Sequence, residues 1–286
     1  MAEQLAADTS MGPVTLRVAD LETMTAYYRD AVALELLAAI GPSVTLGRGN
    51  TPAVILEHSP ELKHASPSDA GLFHTAILFD TEEALAAAVY SVATKHPNTF
   101  TGSSDHLVSK AFYFTDPEGN GVELYWDRDR SAWSWTHGTI EMSTLYLDPN
   151  QFLRDNLTEH AALEPRIGGA SVGHVHLQVG DVATAREFYV DRLGFETTAS
   201  LGDTALFVSA GGYHHHMAMN TWNSRGAGPR RLALGLGRVD IEVPTPDDIG
   251  ALTERMRHHG MQVQHDGQSV TFDDPWANTI KVAAAS

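Results

Sequence analysis

The chain repeats itself, and that constrains its fold more than any other feature. Leu16-Arg17-Val18, Asp20, Tyr27-Tyr28 and Asp30 return in the same order and spacing as Leu177-Gln178-Val179, Asp181, Phe188-Tyr189 and Asp191. Asp116-Pro117 likewise returns as Asp274-Pro275. An internal repeat is read before any local propensity, because one folded unit then predicts the others. The first copy opens with an alternating strand over 14–18. Asp20 then stands as a helix N-cap before an amphipathic run through Met24, Tyr27, Tyr28 and Val32. Short strands are expected over 34–39, 43–47 and 53–57, which makes a β-α-β-β-β unit. The same unit reads over 73–126, with Thr81 capping an Ala-rich helix over 82–95 and strands at 99–101, 106–115 and 121–126. A third has strands at 196–200, 204–210 and 215–222. A fourth has a strand at 234–243, a helix over 246–259, and strands at 262–265, 269–273 and 279–283.

The expected architecture is therefore α+β: four βαβββ modules in two halves, whose curled mixed sheets surround an inter-module metal cleft. Each sheet has one apolar face covered by a helix, and the other must meet a partner module. The expected boundaries are a leader over 1–10, an N-terminal half over 11–127, a linker over 128–169 with a short helix at 149–160, and a C-terminal half over 170–286.

Composition narrows the function classes. With 43% hydrophobic and 19% charged residues the chain is globular. A formal charge of −17 without a basic stripe argues against nucleic acid or an anionic membrane as partner. No apolar run approaches the ~20 residues a spanning helix needs. No secretory signal is legible in 1–10, and with no cysteine a cytoplasmic setting is expected. Fifteen histidines without cysteine direct any metal chemistry to nitrogen and oxygen ligands.

The stretch His106 to Glu123 carries the chemistry. Asp116-Pro117-Glu118-Gly119-Asn120-Gly121 is turn-forming, and alternation from Val122 points Glu123 away from the apolar side of its strand. The repeated unit, with Asp-Pro-x-Gly-Asn-x-apolar-Glu at its last hairpin, resembles the vicinal oxygen chelate family, also called the glyoxalase/bleomycin-resistance/extradiol-dioxygenase family. The resemblance spans nearly the whole chain. It implies that a cleft metal is held from the first and last strands of paired modules. Matched position by position, His74 and His174 take the first-strand places of modules two and three, and Glu123 takes the last-strand place of module two. Pro13, Arg238 and Lys281 stand where modules one and four would carry ligands. Two histidines and a carboxylate form the facial triad of non-haem Fe(II) sites.

His106, Phe112-Tyr113, Asp116-Pro117, Gly119 and Glu123 match the extradiol ring-cleavage signature, apart from Ser104, where that signature prefers another residue. A second departure is that the ligand-bearing modules are the middle two. A subgroup of two-half bacterial catechol-2,3-dioxygenases shares the Tyr-His-His-His run seen here at Tyr213 to His216. The resemblance implies Fe(II), with Mn(II) as a substitute, a catechol-type substrate, O2 and a homo-oligomeric assembly. In that reading His106 and Tyr113 hydrogen-bond the substrate, and one of His214, His215 and His216 handles protons. Alternation favours His216 for the cleft, while the family match favours His215. Phe112, Met219 and Trp222 are candidates to wall the ring. A glyoxalase-like isomerase or lyase, or a small-molecule-binding resistance protein, is the alternative use of the same fold.

Overall fold

The structure is a computed structural model that describes residues 4–285. Its elements follow the repeat. Module one runs β1 (Ser10–Val18), α1 (Leu21–Ala26) with a π-helical turn at Tyr27–Ala31, β2 (Glu35–Ile40), β3 (Ser43–Arg48) and β4 (Thr51–His58). Module two is β5 (Gly71–Phe79), α2 (Glu82–Lys95), β6 (Phe100–Asp105), β7 (Ser109–Thr115) and β8 (Gly121–Asp127). The connecting segment carries β9 (Trp135–Thr136), β10 (Thr139–Ile140), β11 (Leu145–Tyr146), α3 (Pro149–Asn156) and α4 (Glu159–Leu163). Module three is β12 (Ala170–Gln178), α5 (Val182–Arg186) with a second π-helical turn at Glu187–Arg192, β13 (Glu196–Leu201), β14 (Ala205–Ser209) and β15 (Met217–Asn220). Module four is β16 (Gly235–Val243), α6 (Pro246–His258), β17 (Gln264–His265), β18 (Ser269–Asp273) and β19 (Thr279–Ala284). The chain is thus α+β, with repeated βαβββ modules in two halves.

The contacts divide into two compact units. One holds the chain up to Leu16, Leu62–Phe73 and the chain from Gly173; the other holds Arg17–Glu61 and His74–Val172. The division falls inside β1, β5 and β12. In the second unit β4, β3 and β2 lie side by side, and β11-β6-β7-β8-β5 follow in that order. In the first, the orders are β12-β15-β14-β13 and β17-β18-β19-β16. Within modules two, three and four the first and last strands pair parallel and the hairpins antiparallel, so the sheets are mixed.

The helices begin where the sequence places caps. Asp20, Thr81, Asp181 and Thr245 accept from the backbone N–H three residues on, at Thr23, Ala84, Thr184 and Asp248. The repeat extends to a buried lock that joins helix to hairpin. The Tyr28 hydroxyl donates to Asp116 at 3.1 Å, and the Tyr189 hydroxyl donates to Asp274 at 2.9 Å. Each aspartate also accepts from two backbone N–H groups and from an asparagine, Asn120 or Asn278. Burial pushes the Asp116 carboxyl up to about 6 against the pull of those donors. Gly119 takes φ 85°, the left-handed conformation this turn requires.

Four local differences from the expectations have physical causes. Leu5 within the leader is buried and its N–H donates to the Gly194 carbonyl, which anchors the described part of 1–10 at that residue. The expected helix over 149–160 is two helices: Leu157 is extended, and Thr158 caps a new helix at Ala161 N. β6 occupies Phe100–Asp105, and the chain turns at His106–Val108, where Leu107 has φ 70°. The last strand of module three starts at Met217, two residues later than expected.

Candidate metal centre and its surroundings

His74 stands on β5, whose parallel register with β8 sets His74 beside Gly121 and Ala76 beside Glu123. On the other side of β8, Tyr113 is directly across from Glu123. The methyl group of Ala76 leaves room for Glu123 to lean towards His74, and Oε2 comes within 2.9 Å of His74 Nε2. Under these side chains Ala76, Ala111 and Tyr125 form a buried cluster flanked by Leu78 and Tyr113. Glu123 is therefore bordered by apolar side chains and buried, with 2% exposure.

His174 lies on β12, where the neighbouring Val175 pairs with Met217 of β15. One ligand atom from each of His74, Glu123 and His174 lies within 4.8 Å of the others, and all three residues are buried, at 7%, 2% and 2% exposure. Some point lies within about 2.8 Å of all three atoms so spaced, close to ordinary metal–ligand lengths. Two imidazoles and one buried carboxylate suit a divalent first-row metal, with the carboxylate supplying the counter-charge. At the equivalent places of module four, Arg238 pairs with Asp240 at 2.5 Å and Lys281 lies in register beside Asp240. An ion pair there replaces a ligand set.

The three consecutive histidines part company. The His215 ring lies 4.1 Å from that of His174, and the His214 ring 5.9 Å. His214 Nδ1 and His215 Nδ1 are 2.8 Å apart, so one donates to the other. His216 turns towards β14: its Nδ1 accepts from Ala210 N at 3.2 Å and lies 3.0 Å from Ser209 Oγ, and its ring stacks near Phe195. Alternation misleads here because the segment before Met217 is held irregularly. Thr198 Oγ1 donates to His214 O at 2.6 Å, and His216 N donates to Val208 O at 2.9 Å.

His106 and Tyr113 are joined. His106 Nε2 is 2.7 Å from the Tyr113 hydroxyl, and Nδ1 is 2.7 Å from the Ser143 carbonyl oxygen. Both ring nitrogens of His106 are engaged within the chain. The Tyr113 ring lies 5.7 Å from that of His74, and burial, with Glu123 nearby, holds its phenol well above the ordinary range and so protonated.

Of the proposed ring walls, Phe112 packs on Phe152 at 4.9 Å and Met219 is fully buried. Trp222, half exposed at 50%, meets Phe73 at 5.3 Å and His176 at 5.5 Å. His176 went unnoticed in the sequence, although it stands two residues after His174 and so on the same face of the strand. The backbone N–H of Trp222 donates to Asn220 Oδ1, which assigns Asn220 Nδ2 as the donor to His176 Nε2 at 3.0 Å.

Comparison with known proteins agrees with this architecture. The family model of the Glyoxalase/Bleomycin resistance protein/Dioxygenase superfamily matches residues 10–124 and 171–282. A curated relative, the Catechol-2,3-dioxygenase of Bacillus subtilis (strain 168), is 33% identical over 273 residues, covering 94% of each chain. Among solved structures, a candidate dioxygenase of Bacillus subtilis subsp. subtilis str. 168 superposes with a TM-score of 0.66 at 12% identity, covering 99% of this chain and 86% of that one. Glyoxalase I from Zea mays gives a TM-score of 0.58 at 15% identity, covering 97% and 92%. At these identities the two structures speak for the fold alone. With its repeated modules and two matched segments, the chain belongs to the Glyoxalase/Bleomycin resistance protein/Dioxygenase superfamily.

Proposed function

We propose that this chain is an Fe(II)-dependent extradiol dioxygenase that cleaves the ring of catechol or a substituted catechol with O2, giving a 2-hydroxymuconic semialdehyde-type product. The observation that carries the reading is the buried pair of imidazoles and one carboxylate at His74, His174 and Glu123. The relative named Catechol-2,3-dioxygenase supports it. When bound by these three residues, iron would act as a Lewis acid towards a diol and leave positions open for both reactants. Manganese is the expected substitute.

The chain's own residues supply the rest. Tyr113 keeps its hydroxyl proton because its surroundings are apolar and anionic, so at neutral pH it offers a neutral phenol to a bound substrate. His215, whose ring lies beside that of His174, is the proton handler, and His214 behind it can exchange a proton through the Nδ1–Nδ1 contact. His216 is committed to Ser209 and Ala210 and supports the segment. The aromatic set of Trp222, Phe73 and His176 gives a planar substrate a wall of ring edges.

The same proposal includes halves at 11–127 and 170–286, a homo-oligomer, a cytoplasmic setting and no nucleic-acid or membrane partner. Among the described residues no helix is long and apolar enough to cross a membrane. A glyoxalase-like isomerase or lyase would use the same ligands but leave the His106–Tyr113 pair without a task. The test is anaerobic loading with ferrous iron followed by catechol and air. A dioxygenase consumes one O2 per catechol and forms a yellow product. Iron retained without oxygen uptake refutes the reading.

A further inference from the structure

The segment that connects the two halves reaches His106 through β11 and Ser143. β11 lies on β6 with Leu145 opposite Asp105 and Tyr146 opposite Ser104. Ser103 Oγ donates to Leu147 O at 2.8 Å, and Ser143 N donates to His106 O at 3.4 Å. This short ladder sets the Ser143 carbonyl 2.7 Å from His106 Nδ1. A backbone carbonyl can only accept, so Nδ1 carries the proton. In a neutral imidazole Nε2 then holds a lone pair and must accept. The group it faces at 2.7 Å is the Tyr113 hydroxyl, whose single proton is thereby committed to His106.

We infer that the Ser143 carbonyl and His106 are positioning groups that make Tyr113 a hydrogen-bond acceptor towards the substrate, so that the site takes a diol through a hydroxyl that has kept its proton. This rests on the catechol reading above and sharpens it. With its proton spent on His106, the Tyr113 oxygen offers only lone pairs, which suit a phenol O–H and repel a phenolate. The connecting segment thus acts through His106 on Tyr113, and the chain fixes the direction of each bond before substrate arrives.

The test is independent of turnover in its first part. Full-length, metal-free protein labelled with 15N-histidine is examined by long-range 1H–15N correlation at neutral pH, with the His106 signals identified by their loss in His106→Gln. The expected result is a neutral ring protonated at Nδ1. A ring protonated at Nε2 only, or at both nitrogens, overturns the inference even if the protein is a dioxygenase.

The second part uses Leu145→Pro, which fixes φ and removes an N–H from β11, and the milder Ser103→Ala. Leu145→Pro should release the tautomer and lower kcat by about 10–100-fold with KM and metal content held. In a Tyr113→Phe background it should cause no further loss, because the path to the substrate is already cut. Ser103→Ala should move both readouts the same way by less. An unchanged tautomer in Leu145→Pro, or a loss that adds in full to that of Tyr113→Phe, overturns the inference. Absence of ring cleavage in the wild type with an Nδ1-protonated His106 refutes the catechol reading and leaves the tautomer assignment intact.

Discussion

Glu123→Gln separates two effects that usually travel together, because the same carboxylate is a buried charge and, in the proposed function, a metal ligand. Glutamine keeps the shape of the side chain and can still bond across the 2.9 Å to His74 Nε2. It removes a charge that is 2% exposed above the apolar cluster of Ala76, Ala111 and Tyr125. Without metal, the variant should therefore be more stable than the wild type, by on the order of 1 kcal/mol or more, because the desolvation cost of a buried carboxylate is removed. With metal the order reverses. Four-ligand structural sites bind with roughly 10–16 kcal/mol, about 2.5–4 kcal/mol per ligand, so losing the anionic ligand of three weakens binding by roughly 100-fold or more. At a metal concentration 100 times the wild-type Kd, binding adds about 2.7 kcal/mol to the wild type but about 0.4 kcal/mol to the variant. For a chain of this size each kcal/mol moves Tm by roughly 2 °C, so metal should raise the wild type by about 5 °C and the variant by about 1 °C. Thermal unfolding during a Mn(II) titration, with isothermal calorimetry for the affinities, reads both. The argument fails if metal-free Glu123→Gln melts below the wild type, or if its metal affinity stays within threefold.

Three further outcomes follow from buried groups outside the centre. Tyr28→Phe and Tyr189→Phe each remove a hydroxyl that donates to a buried carboxylate, so each should cost about 1.5–3 kcal/mol in urea unfolding, with comparable losses in the two halves. Asp116 has its folded pKa raised to about 6 from 3.8, so its contribution to stability is complete below about pH 4 and is lost as pH rises through about 6. The stability of the wild type relative to Asp116→Asn should accordingly fall by about 2 kcal/mol between pH 4 and pH 7, and a flat difference would remove the burial argument. Arg48 is buried and donates to the carbonyls of Ala33, Ile167 and Gly168 at 2.7, 2.7 and 3.1 Å. Lysine cannot span three acceptors, so Arg48→Lys should lower the urea-unfolding stability by about 2–4 kcal/mol.

The fold was legible because two periodicities and one repeat agree. The caps at Asp20, Thr81, Asp181 and Thr245 start the helices, and the Tyr–Asp locks recur with the Asp-Pro hairpins they hold. His74, Glu123 and His174 were legible through the family resemblance, carried position by position onto the repeated modules. β6 was hidden because Gly102-Ser103-Ser104-Asp105 has low strand propensity and is ordered by its pairings with β7 on one side and β11 on the other. That second pairing brings Ser143 to His106 across 37 positions of chain, a contact no local pattern announces.

The histidine run shows where pattern reading stops. Counting alternation assumes that the strand is already paired at the residue where counting begins. Here the paired strand starts at Met217, after the histidines. Three tertiary bonds decide their directions: Thr198 Oγ1 on the His214 carbonyl, Val208 O on His216 N, and Ala210 N on His216 Nδ1. With His216 drawn towards β14, the ring left beside His174 is that of His215. None of those partners is closer than six residues in sequence to the histidine it holds. Cutting them should therefore mix the three rings: Thr198→Val, which removes the hydroxyl at nearly constant volume, should lower kcat if His215 is the proton handler, while iron content stays unchanged. An unaltered kcat in that variant, with the Thr198–His214 bond gone, would mean that the direction of His215 is set elsewhere.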